Sequence, residues 1–183
     1  IENPALQGNH NAENAAAASS LAYFLGVTPE IVRKKIESFN GLPHRMEFLG
    51  SSGGITFYND SKATNIESAL KSILALKNIY LLAGGISKQG EDLSRIKDGD
   101  IKHLYLFGRD KQLFADVLHD DTSLSIFDNM EEAFAQAILD AKKSAEDAVI
   151  LLAPACASTD QFKNFEDRGE KFRNLVTKAI NGK

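Results

Sequence analysis

Two polar loops leave the ends of apolar runs in this chain. Residues 59–65 read NDSKATN directly after ITFY, and residues 154–169 read PACASTDQFKNFEDRG directly after AVILLA. The first loop offers the Asp60 carboxylate, the Ser61 and Thr64 hydroxyls and the Lys62 ammonium just before a helical segment. The free N–H groups of a helix start favour an anion, so a negatively charged ligand group would fit there. The same residues also have a plainer use, in which Thr64 or Asn65 caps the helix and Asp60 and Lys62 are solvated. In the second loop Pro154 stops the strand, and the small residues Ala155, Cys156, Ala157 and Ser158 let a ligand approach the backbone. Backbone amides and the Ser158 hydroxyl could then hold a carboxylate.

A third loop, AGGISKQG at 83–90, pairs two glycines that permit close approach with Lys88, a countercharge for carboxylate or phosphate. Its spacing fits neither G-x-G-x-x-G nor G-x-x-x-x-G-K-[ST], which disfavours a self-contained dinucleotide or Walker A site. Cys156 would need an adjacent base to act as a nucleophile. No short motif ties His10, His44, His103 or His119 to it, so it reads as a small packing residue. Phe162 and Phe165 read as core positions. There is no C-x-x-C, and H-N-x-x-N at 10–14 is not a zinc signature, so no metal ligands are expected.

These loops need a scaffold that brings strand ends together. Residues 11–26, NAENAAAASSLAYFLG, predict a helix stopping at Gly26, and Thr28–Pro29 predicts the start of a second over PEIVRKKIESF. Gly41 and Pro43 mark a boundary, and RMEFLGSSGGITFYND predicts a hairpin about Ser-Ser-Gly-Gly. Beyond it, strands NIYLLAGG, HLYLFG and AVILLA alternate with helical IESALKSILAL, KQLFADVL and MEEAFAQAILDAKKSA, and FEDRGEKFRNLVTKAI closes the chain as a helix. Thr64 with Glu67, and Asp128 with Glu131, fit the capping-box spacing. Such alternation predicts an α/β fold with a doubly wound, mostly parallel sheet, whose ligands sit at the carboxyl ends of the strands. NDSKAT, AGGISKQG, FGRD and PACAS all fall on that edge.

The 183 residues, 43% hydrophobic, suffice for one full core and a remnant. With 21 basic and 25 acidic residues intermixed, no surface for nucleic acid is expected. A single cysteine excludes an internal disulfide, and no stretch nears the roughly 18 apolar residues of a membrane span. A cytoplasmic location is the expectation. The N-terminus, IENPALQGNHNAEN, is not a secretory signal, and with no initiator methionine the chain is expected to begin inside a longer protein.

Taken in order, GNHNAEN (8–14), GLPHRME (41–47), NDSKATN, LLAGGISK (81–88), LFGRD (106–110) and PACASTDQFKNFEDRG resemble the Mur ligase family, in its D-glutamate-adding branch. The resemblance spans nearly the whole chain, and the NDSKAT and PACAS-x-DQF pair is specific within the superfamily. Ala153 stands where many relatives carry serine. The resemblance implies a Rossmann-like C-terminal domain over residues 41–183, preceded at 1–40 by the closing helices of a central ATPase domain. It implies an ATP-dependent ligase of peptidoglycan precursor synthesis, in which D-glutamate attacks the acyl phosphate of UDP-N-acetylmuramoyl-L-alanine with Mg2+ assistance. The P-loop and most magnesium ligands have no counterpart here, so the chain alone is expected to be inactive and the full-length enzyme monomeric. Thr64, Lys88, Ser158, Thr159, Phe165 and Lys62 would hold D-glutamate. Asn14, Arg45 and Asp60, with Asn11 and His10 close by, would face the adenine or ribose side of ATP. A competing expectation is an isolated acidic-metabolite-binding or interaction module without catalysis.

Overall fold

Strand segments with apolar residues at every position must be covered on both faces, and the architecture supplies both covers. The computed structural model describes residues 3, 6 and 9–182. Helices α1 (Asn9–Phe24) and α2 (Pro29–Glu37) pack on one another at the start of the chain. The Asn3 side-chain amide donates to the Ile36 and Phe39 carbonyls at 2.7 and 2.8 Å, satisfying the end of α2. Strands β1 (Glu47–Ser52) and β2 (Ile55–Asn59) form the expected antiparallel hairpin. Then follow α3 (Ile66–Ile73), β3 (Ile79–Gly84), a 3-10 turn (Leu93–Asp98), β4 (Ile101–Phe107), α4 (Lys111–Leu118), β5 (Leu124–Ile126), α5 (Met130–Ala141), β6 (Ala148–Leu152) and α6 (Phe165–Asn181).

The strand order is β1-β2-β6-β3-β4-β5, with every pairing parallel except β1 to β2. Leu81, Leu104, Leu106 and Leu151 face α3, α4 and the 3-10 turn through Ile66, Leu70, Ile73, Ile96 and Phe114. Their sequence neighbours Tyr80, Leu82, Tyr105 and Ile150 point the other way, onto Phe134 and Ala137 of α5 and Phe172 of α6. This period-2 split of continuous apolar runs yields two cores and a doubly wound α/β sheet, as the sequence predicts.

Three local features differ from the expectations. Of the two caps offered for α3, Asn65 takes the place and the Thr64–Glu67 box does not form, the Asn65 side chain accepting from Ser68 N–H at 2.8 Å. Asn129, not Asp128, caps α5, accepting from Glu132 N–H at 2.9 Å. Asparagine is at least as good a cap as threonine, and in both places the box pattern is one residue out of frame. Strand β5, only three residues long, carries too short an apolar pattern to be read from sequence. His103 on β4 holds it, with its ring nitrogens 2.8 and 2.9 Å from the Ser123 and Ser125 hydroxyls.

Among the described residues, no helix is long and apolar enough to cross a membrane. Leu21, Tyr23, Phe24, Leu25 and Ile31 on α1, α2 and their connection lie more than half exposed.

Candidate functional site

The parallel strands β2, β6, β3 and β4 all end on one edge, so their following loops are neighbours. Ile86 and Ala157 pair as an antiparallel bridge, with N–H to O distances of 2.8 and 2.9 Å in the two directions, stitching the glycine loop to the PACAS loop. Gly85 makes this approach possible. Its φ is 131°, and a Cβ there would stand 2.2 Å from the Ala157 carbonyl oxygen. On the other side Asp110 accepts from the Ser87 N–H and hydroxyl, both at 2.8 Å. The Arg109 guanidinium and these Ser87 bonds bring the Asp110 carboxyl down to about 2. Ala155 adopts φ 57° without being glycine, a strained turn that places Cys156 inside the protein. Burial pushes the Cys156 thiol up to about 12, so it stays protonated and packs rather than reacts.

Beneath these loops lies Arg168 of α6, fully buried. Its Nε donates to the Ser61 hydroxyl at 3.0 Å, and Nη2 donates to the Ser61 and Cys156 carbonyls at 2.9 and 3.0 Å. Nη1 reaches the Gly84 carbonyl at 3.5 Å. One planar fork therefore ties the loops after β2, β3 and β6 to a single helix. Burial lowers the guanidinium to about 10, so it remains charged at neutral pH. Sequence reasoning missed Arg168, because an arginine inside a helix normally reads as solvated. The adjoining Gly169 was the available signal. A Cβ there would fall 2.2 Å from His44 Nδ1, so α6 sits too close to the preceding turn for its buried face to be solvent-facing.

The turn before β1 is locked as tightly. His44 and Met46 both carry positive φ, 62° and 43°. Asp60 holds this turn by accepting the Met46 N–H at 3.2 Å, and Lys62 N–H donates to the His44 carbonyl at 3.0 Å. The Asn59 amide reaches His44 Nδ1 and the Gly169 carbonyl, both at 3.1 Å. Burial lowers the His44 pKa, which suits a neutral ring accepting at Nδ1.

Of the six residues expected around D-glutamate, the structure sets all on the β2, β3 and β6 loops or the start of α6. Thr64 is half-buried, Ser158 is buried, and Lys88, Thr159 and Lys62 are exposed. Lys62 Nζ stands 4.5 Å from the centroid of the Phe165 ring, whose own carbonyl accepts from the Ser61 hydroxyl at 2.8 Å. Of the residues expected at ATP, Asn11, Asn14 and Arg45 line one groove of about 660 Å³ between α1, α2 and Leu42. The His10 side chain lies outside the described residues. Asp60 is 5% exposed, and its carboxylate is engaged by Met46 N–H and by the Ser72 hydroxyl.

Burial raises the Asp60 pKa, ahead of the opposing Ser72 and Met46 hydrogen bonds. A carboxyl raised in the folded state contributes stability that is present below its unfolded pKa and lost as pH rises through its folded one. Asp60→Asn, which keeps an oxygen for Met46, is therefore expected to gain thermal stability over the parent progressively as pH rises above the ordinary carboxylate range. Melting curves taken over that rise check it, and a gap that narrows with rising pH would contradict it.

With this geometry in hand, comparison with known proteins is specific. Residues 44–156 match the family model described as Mur ligase, glutamate ligase domain. The chain is 51% identical over 178 residues to the "UDP-N-acetylmuramoylalanine--D-glutamate ligase" of Rickettsia conorii, covering 96% of this chain and 35% of that protein. It therefore spans about a third of that relative's length. MurF from Acinetobacter baumannii shares the fold with a TM-score of 0.66 at 20% identity, over 93% of this chain and 38% of that one. A MurF ligase from Thermotoga maritima, solved in complex with ADP, gives 0.61 at 18% identity, over 94% of this chain and 40% of that one.

Proposed function

The chain belongs to the Mur ligase family through its glutamate ligase domain, and from that premise we propose that it is the amino-acid-receiving part of an ATP-dependent ligase that joins D-glutamate to UDP-N-acetylmuramoyl-L-alanine. The observation that carries this reading is the convergence of Thr64, Lys88 and Ser158 on one sheet edge whose loops are joined by Arg168 and the Ile86–Ala157 bridge. The 51% identity to a ligase named for D-glutamate supports the choice of amino acid.

In this reading Lys88 provides the countercharge for a substrate carboxylate. The Thr64 and Ser158 hydroxyls and the backbone at Thr159 supply directional hydrogen bonds, while Phe165 and Lys62 close one side. Holding both carboxylates leaves the amine as the free end, aimed away from the sheet edge toward the acceptor. That positioning is the chain's own contribution to the rate. The amine attacks the activated alanyl carbonyl carbon, the new C–N bond forms, and phosphate leaves. ATP, when bound, supplies the phosphoryl group for that activation.

The groove lined by Asn11, Asn14 and Arg45 suits the adenosine portion of ATP, having apolar walls from Ala15, Ala18 and Ile31 and a volume in the usual ligand range of about 300–1,000 Å³. Asp60 holds the Met46 turn and so places Arg45, and with it would face the adenine or ribose side of ATP. Among the described residues no group of three or more His, Cys, Asp or Glu is arranged to hold a metal ion. Residues 1–40 are read as the closing helices of an ATP-binding domain and 41–183 as the acceptor-amino-acid domain, in a cytoplasmic enzyme that works as a monomer.

The test is phosphate release by a full-length polypeptide containing this chain, supplied with ATP, Mg2+ and UDP-N-acetylmuramoyl-L-alanine. Release should require D-glutamate and be absent with L-glutamate, and the 183-residue chain alone should release none. Equal rates with both isomers would overturn the reading.

A further inference from the structure

The His44 ring is buried between the turn before β1 and α6, edge-on to Phe165 with centroids 6.5 Å apart. It has a seat there because residue 169 is glycine, since a Cβ at that position would fall on the ring. The ring's polar partner is Asn59, the last residue of β2 and fully buried. Asn59 Oδ1 accepts from the Ser61 N–H at 3.2 Å, which fixes the orientation of the amide. Its two Nδ2 hydrogens then face three acceptors: His44 Nδ1 and the Gly169 carbonyl, both at 3.1 Å, and Glu47 Oε2 at 3.2 Å. A proton on His44 Nδ1 would point at these donors, so the neutral ring carries its proton on Nε2. From Asn59 the network runs on into the amino-acid site. The Ser61 hydroxyl donates to the Phe165 carbonyl at 2.8 Å. The His44 carbonyl accepts from the Lys62 N–H at 3.0 Å, and the Lys62 carbonyl accepts from the Thr64 N–H at 2.9 Å.

We propose that His44 is a positioning residue for the amino-acid site: its ring, accepting at Nδ1, holds Asn59 and through it Ser61 and Phe165, and a second proton on the ring releases them. The proposal rests on the reading of Phe165, Lys62 and Thr64 as substrate contacts and deepens it with a control on their placement. A proton gained at Nδ1 meets the Asn59 amide. Glu47 Oε2, the carboxylate oxygen that could take it, is 3.8 Å away, so the ring must turn to reach it. Turning shifts the ring against Gly169 and Phe165, the two α6 residues it packs on. The charges around the ring are Glu47 on β1, Glu166, Glu170 and Arg173 on α6, and Asp60 and Lys62 in the loop after β2. Arg173 pairs with Glu47 at 2.6 Å and with Glu170 at 3.1 Å, so two of these carboxylates are already engaged. Burial is the largest influence and holds the His44 pKa below its ordinary value. A histidine depressed in this way contributes stability that is present above its unfolded pKa and lost as pH falls through its folded one. Release therefore sets in below about pH 6.5.

The test has two arms. The first is an NMR pH titration of the isotopically labelled 183-residue chain. The His44 ring nitrogens should report a bare Nδ1 and a protonated Nε2 at neutral pH. Protonation below about pH 6.5 should move the Asn59 side-chain amide and the Ser61 and Phe165 backbone amides with one shared midpoint. The second arm is D-glutamate kinetics of a full-length polypeptide containing this chain. The parent's KM for D-glutamate should rise about three- to tenfold as pH falls through that midpoint, with kcat falling less. Two variants separate the ring's acceptor from the backbone, whose φ of 62° at His44 is one that asparagine and glycine adopt readily. His44→Asn keeps an acceptor and cannot titrate, so its KM should stay within about twofold of the parent's neutral-pH value and flat across the window. His44→Gly has no acceptor, and its KM should be raised about three- to tenfold at every pH. Poor folding alone would lower kcat and leave KM unchanged. A Phe165 amide that ignores the His44 midpoint, or a parent KM that follows pH no more than the His44→Asn KM does, would overturn the proposal. If the full-length parent makes no use of D-glutamate, the amino-acid reading fails, and the NMR arm alone decides the coupling.

Discussion

Replacing Arg168 with methionine is expected to destabilise the protein by about 3–5 kcal/mol, within the range for leaving two buried carbonyls without donors at about 1–3 kcal/mol each. For a chain of this length that corresponds to a fall of roughly 6–20 °C in thermal midpoint. A methionine fills much of the volume, but the acceptors remain. The carbonyls of Ser61 and Cys156 belong to the backbone and would be left buried without donors. This is why the usual tolerance of buried ion pairs for apolar replacement does not extend here: the partners cannot be exchanged along with the arginine. Arg168→Lys should recover little, because a single ammonium cannot span Ser61, Gly84 and Cys156 as a planar fork does. Circular-dichroism melts check both variants, and a shift under about 3 °C for Arg168→Met would show that the loops are held by other means.

Lys88→Ala should have the largest effect on activity without a comparable effect on stability. Lys88 is exposed and makes no ion pair among the described residues, so truncating it removes no structural contact. Its neighbours in the chain are held independently, Ile86 by Ala157 and Ser87 by Asp110. A charge-assisted hydrogen bond of about 1.5–3 kcal/mol to a substrate carboxylate corresponds to roughly 10- to 150-fold in affinity. In the full-length enzyme this should appear chiefly as a raised KM for D-glutamate, with kcat lowered less, since the carboxylate is bound alike before and during the attack. The KM for ATP should stay within about twofold of the parent's value. Steady-state kinetics with each substrate varied in turn checks it, and a kcat loss with unchanged KM would move Lys88 from substrate binding to the chemical step.

Much of the fold was legible because long elements repeat their signal. KQLFADVL is α4 residue for residue, and the strands in NIYLLAGG, HLYLFG and AVILLA end within one residue of the predicted edge. Their common ends made the candidate site legible too, since parallel topology alone makes neighbours of loops far apart in sequence. Single-residue and short-range features were not. The capping boxes of α3 and α5 were read one position early, because a threonine or aspartate with a glutamate three residues on competes with the asparagine that takes the cap. Strand β5 has three residues, too few to display a period. Arg168 and the inward-turned Asp60 depend on contacts 107 and 14 residues away, to Ser61 and Met46. Apart from the Gly169 beside Arg168, no local pattern distinguishes such groups from solvated charges.

The central claim is that the loops after β2, β3 and β6 form a receiver for D-glutamate already assembled within this chain. An amide-shift titration of the 183-residue chain with D-glutamate, and with L-glutamate as control, tests it most directly. The expected result is saturable shifts confined to residues 62–64, 86–88 and 157–165, larger for the D isomer. Shifts of equal size for both isomers, shifts centred on the α1–α2 groove, or no response at these loops would contradict it.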